Sequence, residues 1–336
     1  MSGAELNGAQ LPPAELESLL VDFFCANRTS PPNAKMVARA LVRAEIDGKF
    51  GHGLSRAAGY AAQARSGKVD GMAQPEISRP KTAAIRIDAA NGFAYPAFHL
   101  VRENLPPLAK SHGIAAAAIC RSHHCGVAGH HAEDLAESGC MALVFANTPP
   151  AMAPWGGRTP LFGTNPVAFA APVLDAPPLV IDLAASTAAR GNIVKAAREN
   201  RPIPQGWALD KDGAPTTDAR AALEGSMIPL GGAKGSALAL MVETLAGALC
   251  GAAFGFEAES FFTAEGAPPN VGQAVIAVSP ECFSADSAAR LALLIGKIHA
   301  DGARIPGGNR HARRRQAAEE GIAVRPEILK EISAGG

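Results

Sequence analysis

Ile114-Ala115-Ala116-Ala117-Ala118-Ile119-Cys120 carries no charge, and Arg121-Ser122-His123-His124-Cys125-Gly126 follows it directly. An apolar run of this length with a polar boundary reads as a buried strand. Residues 126–138 then have helical periodicity, and Met141 to Ala146 is a second apolar strand. The histidines therefore fall where a strand stops and a helix starts, a position that exposes side chains and points backbone N–H groups at whatever binds there. Further strands are expected at 167–171, 179–183 and 273–278, with helices at 192–199, 219–223 and after Lys234. This alternation makes the fold class α/β.

Upstream the texture is different. Pro13 to Ala26 places Leu16, Leu19, Leu20, Phe23 and Phe24 on one helical face. Ser30-Pro31-Pro32-Asn33 stops one helix and starts the next over 34–46, and a third is expected over 54–65. Residues 83–88 alternate and end at Asn91-Gly92, as a strand does. Ala176-Pro177-Pro178 reads as a turn, 284–300 as a surface helix, and 304–315 as a basic tail that opens with Pro306-Gly307-Gly308.

The chain has 336 residues, enough for a sizeable core and for more than one domain. It is 48% hydrophobic and 18% charged, the balance of a soluble globular enzyme rather than of a disordered chain. Lys plus Arg equals Asp plus Glu at 31 each, so net charge gives no support to nucleic-acid or anionic-membrane partners. Met1 to Pro13 lacks the basic and apolar regions of a secretory signal. Six dispersed cysteines without a CxxC pair point to reduced thiols in a cytoplasm. Ser236 to Phe254 is nearly long enough to span a bilayer, but Glu243 lies in its middle. A central charge costs about 2.5–3.5 kcal/mol on insertion scales, so a helix buried in a soluble protein is expected instead.

Chemistry concentrates in a few turns. Ala44-Glu45-Ile46-Asp47-Gly48-Lys49-Phe50-Gly51-His52-Gly53-Leu54-Ser55-Arg56, closing on Tyr60, breaks a helix at glycines and puts His52 in the break. One helical turn later comes Arg56, whose guanidinium forks onto carboxylates. A proton-donating histidine beside it suits a small 2-oxo or 2-imino acid, whereas a plain helical corner with solvated side chains is the simpler alternative. At His123-His124-Cys125 a zinc site is disfavoured because no second Cys/His pair has ligand spacing; a redox thiol and an N-capping turn remain open. Gly163-Thr164-Asn165-Pro166 is dense in hydrogen-bonding groups, and Asp182 ends a strand ahead of Ser186 and Thr187. Gly231-Gly232-Ala233-Lys234-Gly235-Ser236 lets backbone approach an anion with a lysine beside it, but it is not a Walker loop. No G-x-G-x-x-G follows a strand, so a Rossmann site has no support.

Taken in order, these stretches resemble the malate/L-lactate dehydrogenase family that lacks a Rossmann unit, over nearly the whole chain from about Leu16 to Arg325. The most specific pieces are the Asp47…His52-Gly53…Arg56…Tyr60 block, Ser122-His123-His124 and Leu161-Phe162-Gly163-Thr164-Asn165-Pro166. Asp182-Leu183-Ala184, Ile203-Pro204-Gln205-Gly206-Trp207-Ala208-Leu209-Asp210 and Pro215-Thr216-Thr217-Asp218 extend it. The resemblance implies a mostly antiparallel sheet wrapped by helices, NAD(P) binding without a Rossmann unit, and a homodimer. It implies a helical substrate and dimerisation domain at 1–112 plus 285–336, and an NAD(P)-binding domain at 113–284. Lys234-Gly235-Ser236-Ala237-Leu238 and the tail Arg304-Ile305-Pro306-Gly307-Gly308-Asn309-Arg310-His311 look like the branch that reduces Δ1-piperideine-2-carboxylate and Δ1-pyrroline-2-carboxylate.

The implied roles follow residue by residue. His52 donates the proton, Arg56 holds the carboxylate with Thr164, and His124 lies near the nicotinamide as the second candidate acid. Cofactor contacts fall on His124, Cys125, Gly126, Thr148, Asp182, Leu183, Ala184, Lys234, Gly307, Gly308, Asn309 and Arg310. The cofactor is NADPH, with NADH possible, and no metal is involved. Malate- or lactate-type 2-hydroxyacid dehydrogenation is the alternative activity. Two departures stand out: Gly51 replaces the usual serine, and Asn192 stands where the imine-reducing branch has an aspartate. They motivate a third reading, an impaired member acting as a binding protein.

Overall fold

The computed structural model describes residues 10–334. Its centre is a sheet of seven strands: β1 (Glu76–Lys81), β2 (Ala84–Asp88), β3 (Ile114–Ser122), β4 (Met141–Ala146), β5 (Val167–Val173), β6 (Ala176–Leu183) and β7 (Val271–Val278). They lie in the order β1-β2-β3-β7-β4-β5-β6. Only β2 and β3 are parallel, and every other neighbouring pair is antiparallel. Period-two alternation assigns the faces. Ala142 and Val144 of β4, with Val275 and Ala277 of β7, pack under the helices Ala94–His112 and Ala128–Glu137. Phe145 and Ala274 point to the opposite face, where Val242, Ala246 and Cys250 cover them.

The helix that carries this second cover is the segment once suspected of spanning a membrane. It runs as Ala233–Val242 and continues over Glu243–Leu249 with the wider π spacing. Glu243 is buried and accepts hydrogen bonds from Asn147 Nδ2 (3.1 Å), Asn165 Nδ2 (2.9 Å) and the Gly255 N–H (3.0 Å). A carboxylate satisfied by three neutral donors ties two loops to the helix. No helix among the described residues is long and apolar enough to cross a membrane.

Two elements have no counterpart in the sequence expectations, and two others are placed differently. β1 carries no buried residue and contains Pro80, so no hydrophobic period announces it; as an edge strand it tolerates the proline. The helix Ala94–His112 holds Pro106 and Pro107, a residue type that ordinarily breaks a helix, yet Leu105, Pro106 and Leu108 are buried and the helix runs through. Ala176-Pro177-Pro178 is not a turn but the start of β6, the opposite edge strand, where missing N–H donors cost nothing. The third helix begins later than expected, as Ala57–Ser66 after two short 3₁₀ turns at Phe50–His52 and Leu54–Arg56. Residues 1–9, where a secretory signal was sought, lie outside the described residues.

A separate core joins the chain ends. Leu16, Leu20, Phe24, Val37, Leu41 and Tyr60 pack with Ala317, Ile322, Val324, Ile328 and Ile332 of the C-terminal segment. An ion cluster locks the basic tail onto this assembly. Glu133 receives Arg43 (2.8 Å), Arg314 (2.8 Å) and Arg310 (3.2 Å), and Asp47 receives Arg314 (2.6 Å) and His130 (2.9 Å). Burial opposes ionisation of Glu133, but Arg314 with Arg43 and Arg310 outweighs it and holds the carboxyl down to about 2. Because this lies below the ordinary value of 4.5, the stabilisation is complete above that pH and is lost as pH falls toward 2. Glu133→Ala leaves three guanidinium groups facing one another. It is expected to cost about 3–5 kcal/mol, read as a lower urea midpoint, with a wild-type midpoint contradicting it.

Candidate active site

The chemistry-bearing turns issue from one end of the sheet. β3 ends at Ser122 opposite Val271, the first residue of β7, and β4 ends at Ala146 opposite Gln273. β5 starts at Val167 beside Phe145 on one side and Leu183, the last residue of β6, on the other. His123-His124, Asn147-Thr148, Gly163-Thr164 and Ala184-Ala185 therefore leave the sheet together. Hydrogen bonds join them: Thr164 N–H to Thr148 Oγ1 (3.0 Å), Ala185 N–H to Thr164 O (2.8 Å), and Leu230 N–H to Ala185 O (2.8 Å). The last of these seats the glycine turn that presents the exposed Lys234, at Gly231 and Gly232, both with left-handed φ.

Against this end lies the His52 turn. His52 Nδ1 is 3.2 Å from His124 Nε2, and the two rings stack with centroids 5.0 Å apart. His124 Nδ1 in turn is 2.5 Å from the hydroxyl of buried Tyr60. Arg56 donates from Nε to Gly51 O (2.7 Å), and its guanidinium lies 4.6 Å from the centroid of the Phe262 ring. No carboxylate among the described residues pairs with it. Packing on an aromatic face holds the fork without spending its charge.

The electrostatics favour neutral histidines. Burial, then Arg56, Lys49 and His130, push His52 down to about 3. Burial with Arg56 and Lys68 does the same to His123, and burial drives His131 to about 4. His124 is driven well below its ordinary value by burial, Arg56 and the neighbouring histidines. An unfolded chain rebinds these protons near 6.5, so stability is complete above that pH and declines as pH falls toward 3. The expected result is a melting temperature that drops steadily below about pH 6.5; a flat profile to pH 4 contradicts it.

A cleft of about 800 Å³ runs beside this centre. Lys49, Gly129, Val180 and Asp182 line one part, and Arg304, Gly307, Gly308, Asn309, Arg310 and Arg313 the other. Gly129 is required there, because a Cβ would strike the Asp182 side chain. The tail places one expected cofactor residue in an ion pair. Arg310 lines the cleft but faces Glu133 with Nε and donates from Nη2 to Pro178 O (3.3 Å), so its charge is already engaged. Arg304 and Arg313 are exposed and without an ion pair among the described residues; they are the cations free to meet an anion.

The remaining expected residues are placed as follows. Cys125 is buried, and burial reinforced by Asp182 pushes its thiol up to about 12, so the redox alternative lapses. Gly126 adopts a left-handed φ of 71° close to the Tyr95 hydroxyl, which a side chain would strike. Leu183 is exposed at the β6 end. Gly51 has open space around it, and Asn192 is exposed in the first turn of the helix Arg190–Arg198. All six cysteines are unpaired. No group of three or more metal-ligating side chains forms among the described residues. Sequence reasoning missed Tyr95, Phe261 and Phe262; the two phenylalanines sit in an irregular loop with no periodicity to mark them.

With this geometry in place, comparison with known proteins is informative. The family model for malate/L-lactate dehydrogenase matches residues 11–333. The chain belongs to the malate/L-lactate dehydrogenase family. Family and relatives make it an NAD(P)-dependent oxidoreductase. Among relatives, a (2R)-3-sulfolactate dehydrogenase (NADP(+)) of Chromohalobacter salexigens is 49% identical, covering 95% of this chain and 96% of that protein. A Δ1-pyrroline-2-carboxylate/Δ1-piperideine-2-carboxylate reductase of Pseudomonas putida is 41% identical, covering 96% and 95%. The crystal structure of Δ1-piperideine-2-carboxylate reductase from Pseudomonas syringae superposes with a TM-score of 0.93 at 38% identity, covering 98% and 100%. The sheet wrapped by helices expected from the resemblance is thus the family's fold.

Proposed function

We propose that this family member is an NADP-linked oxidoreductase acting at C2 of a small 2-oxo or 2-hydroxy acid that carries a second anionic group, of the 3-sulfopyruvate/3-sulfolactate type. The observation that carries this reading is the pair of cations at His52. Arg56 and Lys49 both lie near enough to depress its pKa, and neither has an ion-pair partner among the described residues. A carboxylate takes the Arg56 fork, and a second anion balances Lys49. The relative at 49% identity supports the same chemistry. Reduction of a cyclic 2-imino acid, the activity expected from the tail and from Lys234-Gly235-Ser236, is the second reading; the relatives at about 40% identity favour it. Asn192, where that branch has an aspartate, weighs against it.

The residues present fit NADPH. The cleft holds about 800 Å³, Gly307 and Gly308 allow close approach, and Arg304 and Arg313 supply the positive charge that phosphates need. When bound, the reduced nicotinamide supplies the hydride. Arg56 fixes the carboxylate so that C2 faces that site, and Thr164 contributes a further polar contact. His52 presents its free ring nitrogen to the oxygen or nitrogen on C2. The substrate's charge offsets Arg56 and Lys49, two of the influences that hold His52 neutral, so the acid gains its proton as the substrate arrives. General acid catalysis of this kind is worth about 10²–10⁴-fold.

The test is NADPH oxidation with 3-sulfopyruvate, Δ1-piperideine-2-carboxylate, oxaloacetate and pyruvate at equal concentrations. 3-Sulfopyruvate is expected to give the highest kcat/KM; a cyclic imine ahead of it establishes the second reading instead. For the cofactor, Arg304→Ala with Arg313→Ala is expected to reduce the NADPH-over-NADH preference at least tenfold, since a charged contact is worth about 1.5–3 kcal/mol. An unchanged preference rejects these two arginines as the selecting pair. The same reading includes a homodimer in the cytoplasm. Leu240, Met241 and Leu249 are exposed along one helix, and the helix Ser287–Ala300 buries none of its residues, leaving faces that a second copy covers. Light scattering showing a monomer contradicts that part.

A further inference from the structure

A chain of hydrogen bonds leads away from His52 into the protein. His124 Nε2 faces His52 Nδ1 at 3.2 Å, the Tyr60 hydroxyl faces His124 Nδ1 at 2.5 Å, and the Tyr95 hydroxyl lies 3.5 Å beyond. All of these side chains except His52 are fully enclosed. We propose that Tyr60 is a positioning residue for the reaction, which through His124 stabilises the protonated form of His52.

Proton accounting along the chain shows how. With neutral His52 the chain runs in either of two directions: Tyr60 donates to His124 Nδ1 and His124 donates from Nε2 to His52 Nδ1, or His52 donates from Nδ1 to His124 Nε2 and keeps its outer nitrogen open to a proton from solvent. With protonated His52 both of its ring nitrogens are donors, so His124 Nε2 must accept. His124 then carries its proton on Nδ1, donates it to the Tyr60 oxygen, and Tyr60 turns its own proton to Tyr95. Each donor from His52 to Tyr60 then has an acceptor, and the positive charge is spread along polar contacts in a low-dielectric interior. The chain delivers no net proton. Its inner end is buried, and burial pushes the Tyr60 hydroxyl up to about 12 and Tyr95 well above its ordinary value, so neither tyrosine is a source.

No other group does this work. Arg56 and Lys49 face His52 as cations and oppose its charge. His130 is taken by Asp47 (2.9 Å), and His131 is held at Cys125 O (2.7 Å) and stacked on Phe98. The ring nitrogens of His123 have no hydrogen-bond partner among the described residues, and burial pushes the Cys125 thiol up to about 12. Phe93 and Phe261 complete the wall without polar atoms.

This role rests on His52 being the acid. The experiment is the pH profile of kcat at saturating NADPH, with the fastest acid of the panel, for the wild type, Tyr60→Phe, Tyr95→Phe and His52→Asn. Tyr60→Phe is expected to move the alkaline limb down by about one pH unit, a tenfold lower kcat above the limb, with both KM values within about twofold. Tyr95→Phe is expected to move it the same way by less, and decides the matter alone if Tyr60→Phe fails to fold. An unmoved limb, or a loss equal at every pH as a structural defect gives, overturns the role of Tyr60 while leaving His52 in place. Wild-type turnover in His52→Asn overturns both.

Discussion

His52→Ala is expected to lower kcat at least about 10²-fold while the dissociation constant for NADPH stays unchanged. The reason is local. His52 occupies a short turn of its own, touches His124, and is separated from the glycine turn of the tail that lines the cleft. Removing the imidazole removes the proton donor and leaves the cleft walls intact. His124 lies behind it, buried and engaged with Tyr60. Stopped-flow kcat with fluorescence titration of NADPH checks both halves. A variant that loses NADPH binding but turns over normally shows that His52 is not the acid.

Arg56→Ala is expected to reduce kcat/KM by about 10²–10⁴-fold, because two charge-assisted hydrogen bonds to the carboxylate are each worth roughly 1.5–3 kcal/mol. Arg56→Lys keeps the charge but not the fork and is expected to recover only part of the loss. The pH profile supplies an independent check. Arg56 is the foremost charge holding His52 neutral, so its removal raises the His52 pKa and moves the alkaline limb upward even as turnover collapses. A downward shift, or kcat/KM within about threefold of wild type, places the carboxylate elsewhere.

The centre of the sheet was legible because its strands are apolar on both faces. Met141–Ala146 is where the sequence puts it, and the 114–120 run extends only to Ser122. β1 was illegible because an edge strand with no buried face has no hydrophobic period. The helix over 94–112 was hidden by Pro106-Pro107, since tertiary packing here overrides the local penalty. At the site, glycine turns and strand ends marked His52, His124, Thr164 and Lys234, because close backbone approach leaves a trace in residue type. Pairing between distant segments leaves none. Nothing near Arg310 announces that Glu133 claims it, nor near Tyr95 that it ends a chain from His52. Arg310, expected at the cofactor, lines the cleft yet pairs with Glu133, and Arg314 pairs with Asp47, whereas Arg304 and Arg313 have no ion pair among the described residues.

The central claim is that this chain moves a hydride to C2 of a small acid. It is tested most directly by incubating the wild-type protein and 3-sulfopyruvate with NADPH deuterated at the transferring nicotinamide position, then reading the product by mass spectrometry and NMR. The account predicts one deuterium in each product molecule, on C2, with the hydroxyl proton drawn from solvent. Unlabelled product, or label on any other carbon, contradicts it.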